Sequence, residues 1–461
     1  MLMIKQIAHR VLILGASGLF SINAAFAGIP ITHWTQASGV QVYLVPSPAI
    51  PMVDVQVDFD AGSRRDPAAQ AGLADVMAHM TGKGVLVSAD GTEPALDENA
   101  LGEAWADLGA GFSASASTDR LSFSLRSLTY PDLLSKAIQL AARQLGQPAF
   151  PPAVWQRERE TLNATIREAN TRPATLAGRA FNAAVYGSHP YGFEATEATL
   201  ARISVADMAA MHRALIQPCR AKVTIVGAVN RAQADELVTQ LFAPLLANAN
   251  SNAAAPVACL PLPAVAEVAP LDKPVEQHIA FDSAQAHVLI GQPGYKRDDP
   301  DYFALTVGNY ILGGGGFVSR LTNEVREKRG LSYSVYSYFA PGLHAGAFIL
   351  GLQTRPDQAS QAVQVSRDVV AGFVANGPTA SELKAAKDNL IGGFALRVDS
   401  NRKLLDNVAN IAWNNLPLDY LDTWTAQINK VSAADIKGAF ARKLQPQKMV
   451  TVVLGGAPAA Q

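Results

Sequence analysis

Apolar positions in this chain fall into two periods, and the periods alternate in a set order. Val40-Gln41-Val42-Tyr43-Leu44-Val45 and Val53–Phe59 have the spacing of strands. Ala68–Met80 changes to helical spacing, with Leu73, Val76, Met77 and Met80 on one face. Arg120–Leu128 predicts another strand, and Pro131–Leu145, Pro152–Asn170 and Val205–Leu215 predict helices. The β-rich run Ala221–Gly227 closes the series. The same order then returns. His287–Ile290 predicts a strand and Tyr302–Leu312 a helix; Ser332–Phe339 and Phe348–Gln353 predict strands. Ala359–Ala375, Ala380–Val398 and Ala433–Lys443 predict helices, and Met449–Gly455 is the closing strand. Self-similarity at ~200 residues marks a duplicated α+β domain, a fold of two α/β-sandwich halves.

Between the halves, Leu246–Pro274 is rich in Ala, Asn and Pro and has no helical periodicity. It predicts an extended linker, 246–274, between a first domain, 28–245, and a second, 275–461. The first 27 residues read as an export leader. Lys5, His9 and Arg10 precede a short apolar run from Val11 to Phe20, and Ala25-Phe26-Ala27 is a small-x-small cleavage site. The expected mature chain starts at Gly28. The run is too short to span a bilayer, so an exported protein is expected, in a bacterium a periplasmic one.

Composition narrows the class. With 38 Lys and Arg against 39 Asp and Glu, the net charge is −1, and nothing favours nucleic acid or an anionic membrane as partner. Hydrophobic residues make up 49% and charged residues 17%, which suits large cores. The two cysteines, Cys219 and Cys259, are either unpaired buried thiols or one disulfide of an oxidising compartment.

The stretch Gly72-Leu73-Ala74-Asp75-Val76-Met77-Ala78-His79-Met80 reads as an inverted zinc motif with its chemistry removed. H-x-x-E-H needs two His one helical turn apart to hold the metal and a Glu beside the second as general base. Asp75, Ala78 and His79 stand at those positions. In the second half, Leu312-Gly313-Gly314-Gly315-Gly316-Phe317-Val318-Ser319-Arg320-Leu321 precedes Val325-Arg326-Glu327-Lys328-Arg329-Gly330-Leu331-Ser332-Tyr333. Gly330 suits a helix stop, and Leu331 to Tyr338 suits a strand.

Together with Asp60–Pro67, His189-Pro190-Tyr191-Gly192 and the duplication, these segments resemble the insulinase/pitrilysin zinc metallopeptidase superfamily. The likeness is to its small two-domain, processing-peptidase-like type, and runs from about Thr32 to Gly455. The resemblance implies a clam-like chamber in which one half carries zinc and the other supplies an Arg and a Tyr, here Arg326 and Tyr333. It implies a downstream Glu as third ligand. The register puts Thr165 there, with Glu158, Glu160 and Glu168 nearby. It also suggests substrate contact for Gly313, Gly314, Gly315 and Gly316, since glycine lets a peptide approach closely. His189 is expected to anchor a loop.

Ala78 cannot take a proton from water, so this chain is expected to hold no cofactor and to be inactive alone. The expectation is a non-catalytic subunit of a heterodimeric peptidase, whose homologous partner carries H-x-x-E-H and the zinc. Arg326 and Tyr333 would bind the peptide carbonyl and oxyanion in trans. Two other readings stay open: a catalytically inert peptide-binding or scaffold protein, and an enzyme with a metal site rebuilt on Asp75 and His79.

Overall fold

A computed structural model describes residues 28–88, 90–249 and 259–456. The expected leader and its cleavage after Ala27 lie outside the described residues.

The first half forms a six-stranded sheet from β1 (Thr32–Thr35), β2 (Gln41–Pro46), β3 (Met52–Phe59), β4 (Gly111–Ala116), β5 (Leu121–Leu128) and β6 (Lys222–Gly227), in the order β1-β2-β6-β3-β5-β4. The second half forms a five-stranded sheet from β7 (Val275–Ile279), β8 (Ala286–Tyr295), β9 (Val335–Phe339), β10 (Gly346–Thr354) and β11 (Val450–Leu454), in the order β9-β10-β8-β11-β7. In each, the closing strand of the half enters the middle of the sheet, and a hairpin strand, β4 or β9, is left at one edge. The expected duplication and α+β class are both present.

Strand alternation explains the layering. Along β3, Val53, Val55, Val57 and Phe59 face the core under α2 (Pro131–Gly146) and α5 (Arg231–Ala249). Asp54, Gln56 and Asp58 face the opposite way, yet each is buried. The reason is a helix from the other half. Leu404, Leu405, Val408, Ile411 and Ala412 of α9 (Asn401–Trp413) pack on Tyr43, Val45 and Val226. Lys222 Nζ donates to Ala412 O at 2.7 Å and to Asn415 Oδ1 at 2.7 Å, so a cation closes the C-terminus of that helix. The exchange is reciprocal. Ala177, Phe181 and Val185 of α4 (Pro173–Tyr186) pack on Ala347, Val450, Val452 and Leu454 of the second sheet. Gly291 leaves the space for this, since a Cβ there would lie 2.8 Å from Phe181 Cζ.

The join between the halves begins later than its composition suggests. α5 continues to Ala249, past Leu246, and Val275 already belongs to β7. Residues 259–274 hold no regular element and are strapped to the first half. Arg220 Nη2 donates to Leu260 O at 2.7 Å, Arg65 Nη1 donates to Pro263 O, and His189 Nε2 donates to Ala266 O at 2.9 Å. Cys219 and Cys259 form a disulfide with Cα atoms 5.8 Å apart. Of the two alternatives for these thiols, the bridged one holds. It closes a loop of 40 residues, worth ~4 kcal/mol in the chain-entropy model. Cys219→Ser with Cys259→Ser is expected to lower the unfolding free energy by that amount, read as a lower denaturant midpoint, and an unchanged midpoint would refute the contribution.

Candidate functional site

The degenerate motif lies on α1 (Leu73–Met80). The sequence pattern began this helix at Ala68, but Ala68–Gln70 is a separate 3₁₀ turn and Gly72 breaks it off at φ +99°. Buried Asp66 takes over the cap, accepting from Gly72 N at 2.8 Å and Ala74 N at 2.9 Å. Leu73, Val76, Met77, Ala78 and Met80 are buried. The Ala78 methyl is therefore core, while Asp75 and His79 stand on the outward side. Desolvation pushes the Asp75 carboxyl above its ordinary range.

The third-ligand position needs correction. Glu158, on α3 (Pro152–Ala169), brings Oε2 to 2.8 Å from His79 Nε2. Thr165 lies further along the same helix and donates to Thr161 O instead. The two segments are far apart in sequence, so their relative rotation is set by packing and was beyond reach of spacing alone. Burial opposes ionisation of Glu158, but hydrogen bonds from Arg157, His79 and Lys83 outweigh it and hold the carboxyl at about 2.

These residues do not fit a zinc ion. Lys83 Nζ sits 3.2 Å from Glu158 Oε1 and 3.4 Å from Glu98 Oε2, and Arg157 bonds both carboxylates. Fixed cations thus already neutralise the carboxylates that a metal would need. Among the described residues no three His, Cys, Asp or Glu side chains come together as a ligand set. Sequence reasoning missed Lys83 and Arg157; a Lys one turn beyond His79 was the available signal.

Arg326 and Tyr333 come together as the sequence suggested, by an unexpected route. The segment carrying Arg326, Thr322–Glu327, is a π-helix, and so is Tyr310–Gly314 before it. Such wide turns favour functional positions. The strand begins only at Val335, so Tyr333 lies in the loop that follows Gly330, which adopts φ +60°. Glu324 pairs with Lys328 at 2.6 Å and Arg329 at 2.7 Å, leaving Arg326 only Glu327 at 3.4 Å. The Arg326 guanidinium instead lies 4.8 Å from the ring of Tyr333 and 4.8 Å from the ring of Phe317. Tyr333 is 82% exposed and Phe317 73% exposed. An Arg held between two open aromatic rings has a fixed direction and little hydration to lose. Phe317 was missed in the sequence, although an aromatic directly after a glycine run was visible there.

The glycine run is mostly a packing device. A Cβ at Gly313 would meet Ser337 Oγ at 2.4 Å, one at Gly314 Asn309 Nδ2 at 2.8 Å, and one at Gly315 Tyr310 O at 2.6 Å. Gly316, at φ +60°, meets nothing and opens onto solvent. Just beyond, Arg320 grips Glu382 of α8 (Ala380–Gly392) at 2.6 and 2.7 Å. The Arg320 hydrogen bond, against burial, holds the Glu382 carboxyl at about 2. A folded pKa below the unfolded one stabilises fully above ~4.5 and is lost as pH falls toward 2. Glu382→Gln is therefore expected to lower the melting temperature at pH 7 and to have little effect near pH 2. An equal effect at both pH values would exclude this linkage.

Comparison with known proteins agrees with this layout. The model for the insulinase domain, peptidase family M16, matches residues 41–198, and that for the peptidase M16 inactive domain matches 202–390. A crystal structure of a peptidase M16 inactive domain from Pseudomonas fluorescens is 33% identical, with a TM-score of 0.84 over 94% of this chain and 98% of that one. An uncharacterized zinc protease of Mycobacterium leprae is 26% identical over 96% of this chain and 95% of its own length. A protein of Helicobacter pylori named as a non-peptidase homolog is 34% identical over 36% of this chain and 38% of its own. The two family models fall on the two halves of the duplicated fold, and the chain is a member of the insulinase (M16) peptidase family.

Proposed function

We propose that this chain is the non-catalytic, substrate-binding subunit of a two-chain zinc peptidase. The partner is a homologous chain with intact H-x-x-E-H, and it carries the zinc. One observation supports the reading above others: the position of the lost metal is filled by ion pairs, while Arg326, partly exposed, stays held between the open rings of Phe317 and Tyr333.

In the closed complex, the partner's H-x-x-E-H would hold the zinc on one wall of the chamber, where it would supply activated water. Arg326 and Tyr333 stand on the opposite wall. The guanidinium is a donor of fixed charge and the phenol a neutral donor. Both act on the scissile carbonyl, and more strongly on the oxyanion it becomes, which lowers the barrier instead of merely tightening substrate binding. The Gly316 end of the glycine run offers backbone close to an extended peptide. Export to the periplasm fits this role; the leader pattern of the first 27 residues and the Cys219–Cys259 bridge support that location.

The test compares the purified chain, its H-x-x-E-H partner and the two mixed, on a quenched fluorescent peptide with and without a zinc chelator. Chelator-sensitive hydrolysis by the mixture, well above that of either chain, is expected. Chelator-insensitive hydrolysis by this chain alone would overturn the reading. A mixture no faster than the partner would favour the inert peptide-binding or scaffold alternative.

A further inference from the structure

The chain meets the second half before its first strand begins. β1 starts at Thr32, and the residues just ahead of it already pack elsewhere. Ile31 is buried, and Ile29 half-buried, in one apolar cluster with Leu404 and Leu405 of α9 and Leu421 of α10 (Tyr420–Lys430). A polar contact continues this apolar one. Ile29 N donates to Asp422 Oδ1 at 2.9 Å. Asp422 lies in the first turn of α10, where the helix dipole favours a carboxylate. Among the described residues that amide is its one hydrogen-bond partner, and no basic side chain pairs with it.

The second oxygen of Asp422 faces Gly28. A Cβ at Gly28 would lie 2.6 Å from Oδ2, 3.0 Å from Cγ and 3.1 Å from Oδ1. Glycine is therefore the residue that fits position 28 without moving the carboxylate. What is too close for a carbon suits a cation, since N⁺–H···O⁻ bonds are ~2.7–2.9 Å long. The expected leader ends at Ala27. Hydrolysis of the Ala27–Gly28 bond adds one water, leaving a carboxylate on Ala27 and a primary ammonium on Gly28. It also releases the Gly28 nitrogen from the chain ahead of it. Turning about Cα–C by about a third of a circle then sets that nitrogen where the Cβ would have been, because both atoms sit about 1.5 Å from Cα. Glycine opposes this rotation less than any other residue.

We propose that Asp422 is the docking site for the chain's own processed N-terminus: the Gly28 ammonium made by leader cleavage binds Oδ2, while the Ile29 amide keeps Oδ1. With the leader attached, residue 28 offers only a neutral amide whose chain continues, so the ion pair cannot form. Cleavage thus completes a contact that fastens the segment ahead of β1 to α10, a third crossing between the halves beside α4 and α9. The contact forms only in the compartment where the leader is removed. The inference rests on the leader reading and needs no partner subunit.

The test starts from the full-length chain, exported by a bacterium, purified and weighed by mass spectrometry; the product should begin at Gly28. It is then treated at about pH 7 with an amine-acylating reagent, to which an α-amine of pKa ~8 is far more reactive than lysines near ~10.4. Gly28 of the wild type is expected to label ~2–5-fold more slowly than Gly28 of Asp422→Asn, the range of an exposed ion pair. Asn keeps an oxygen for the Ile29 amide, so the difference reports the lost charge. A chain extended by one residue, starting at Ala27, carries its ammonium past the site, and there Asp422→Asn should make no difference. A product that starts anywhere but Gly28, equal labelling of the wild type and Asp422→Asn, or the same Asp422 effect in the extended chain would each overturn the proposal. Equal labelling of a product that does start at Gly28 would sink the docking site and leave the export reading standing.

Discussion

In the proposed two-chain peptidase, Arg326→Ala is expected to lower kcat by ~10²–10³-fold, the cost of losing one oxyanion donor in a water-poor site. The geometry gives three reasons to expect an effect on chemistry and not on folding. Arg326 makes no strong ion pair of its own; its one acidic neighbour, Glu327, is 3.4 Å away and over half exposed. Its other contacts are the faces of Phe317 and Tyr333, both largely exposed, so its removal empties no core. The π-helical turn and the positive φ at Gly330 orient this segment through the backbone, which the substitution leaves in place. Tyr333→Phe keeps the stack and deletes only the hydroxyl, so it should lower kcat with KM nearly unchanged. Arg326→Lys keeps the charge without the planar fork and should recover only part of the rate. Steady-state kinetics on the reconstituted pair, with melting curves of this chain beside them, make the check. A kcat within ~2-fold of wild type for both Arg326→Ala and Tyr333→Phe would remove their assigned role, since a true oxyanion donor costs far more.

The parts of this fold that could be read from sequence are those whose pattern is fixed within one element. β3 alternates over its whole length because one face meets α2 and α5, and its reading held to within a residue. The helices at Pro131 and Pro152 start where proline at the first turn says they should. The emptied motif was legible because its chemistry depends on residue type: no packing can make Ala78 a base. What failed depended on contacts between distant segments. Glu158 meets His79 across 79 residues, and only the packing of α3 on α1 selects it over Thr165. Two elements that fasten the halves together, α4 and α9, went unassigned, although Ala177, Phe181 and Val185 recur every four residues, as helix faces do. Even with the helices found, nothing local says that each covers the other half's sheet. The same holds for the buried polar residues of β3: Asp54, Gln56 and Asp58 look like a solvent face until α9 is laid over them.

That exchange of helices leads to the largest expected loss of stability, at Phe181. Phe181→Ala should cost ~3–5 kcal/mol, the range for truncating a fully buried aromatic. The ring is 1% exposed and stands on the second sheet, against Gly291 and the strand pair β8–β11, although its helix belongs to the first half. No neighbour can close the gap cheaply. Gly291 has no side chain to move, and Val450, Val452 and Leu454 are fixed in a strand paired on both sides, between β8 and β7. The consequence differs from that of a core truncation such as Phe123→Ala, whose ring packs on Phe59 and Phe112 within the first half alone. Phe123→Ala should lower stability and leave unfolding a single transition. Phe181→Ala removes contact energy between halves, so it should also loosen the cooperativity that makes them unfold together. Denaturant unfolding followed by hydrogen exchange on peptides from each sheet separates the two cases. Protection in the two sheets should be lost together in wild type and Phe123→Ala, and at different denaturant concentrations in Phe181→Ala. A cost below ~1 kcal/mol, or coincident loss in all three proteins, would show that α4 is a passive cover and that the halves are held together elsewhere.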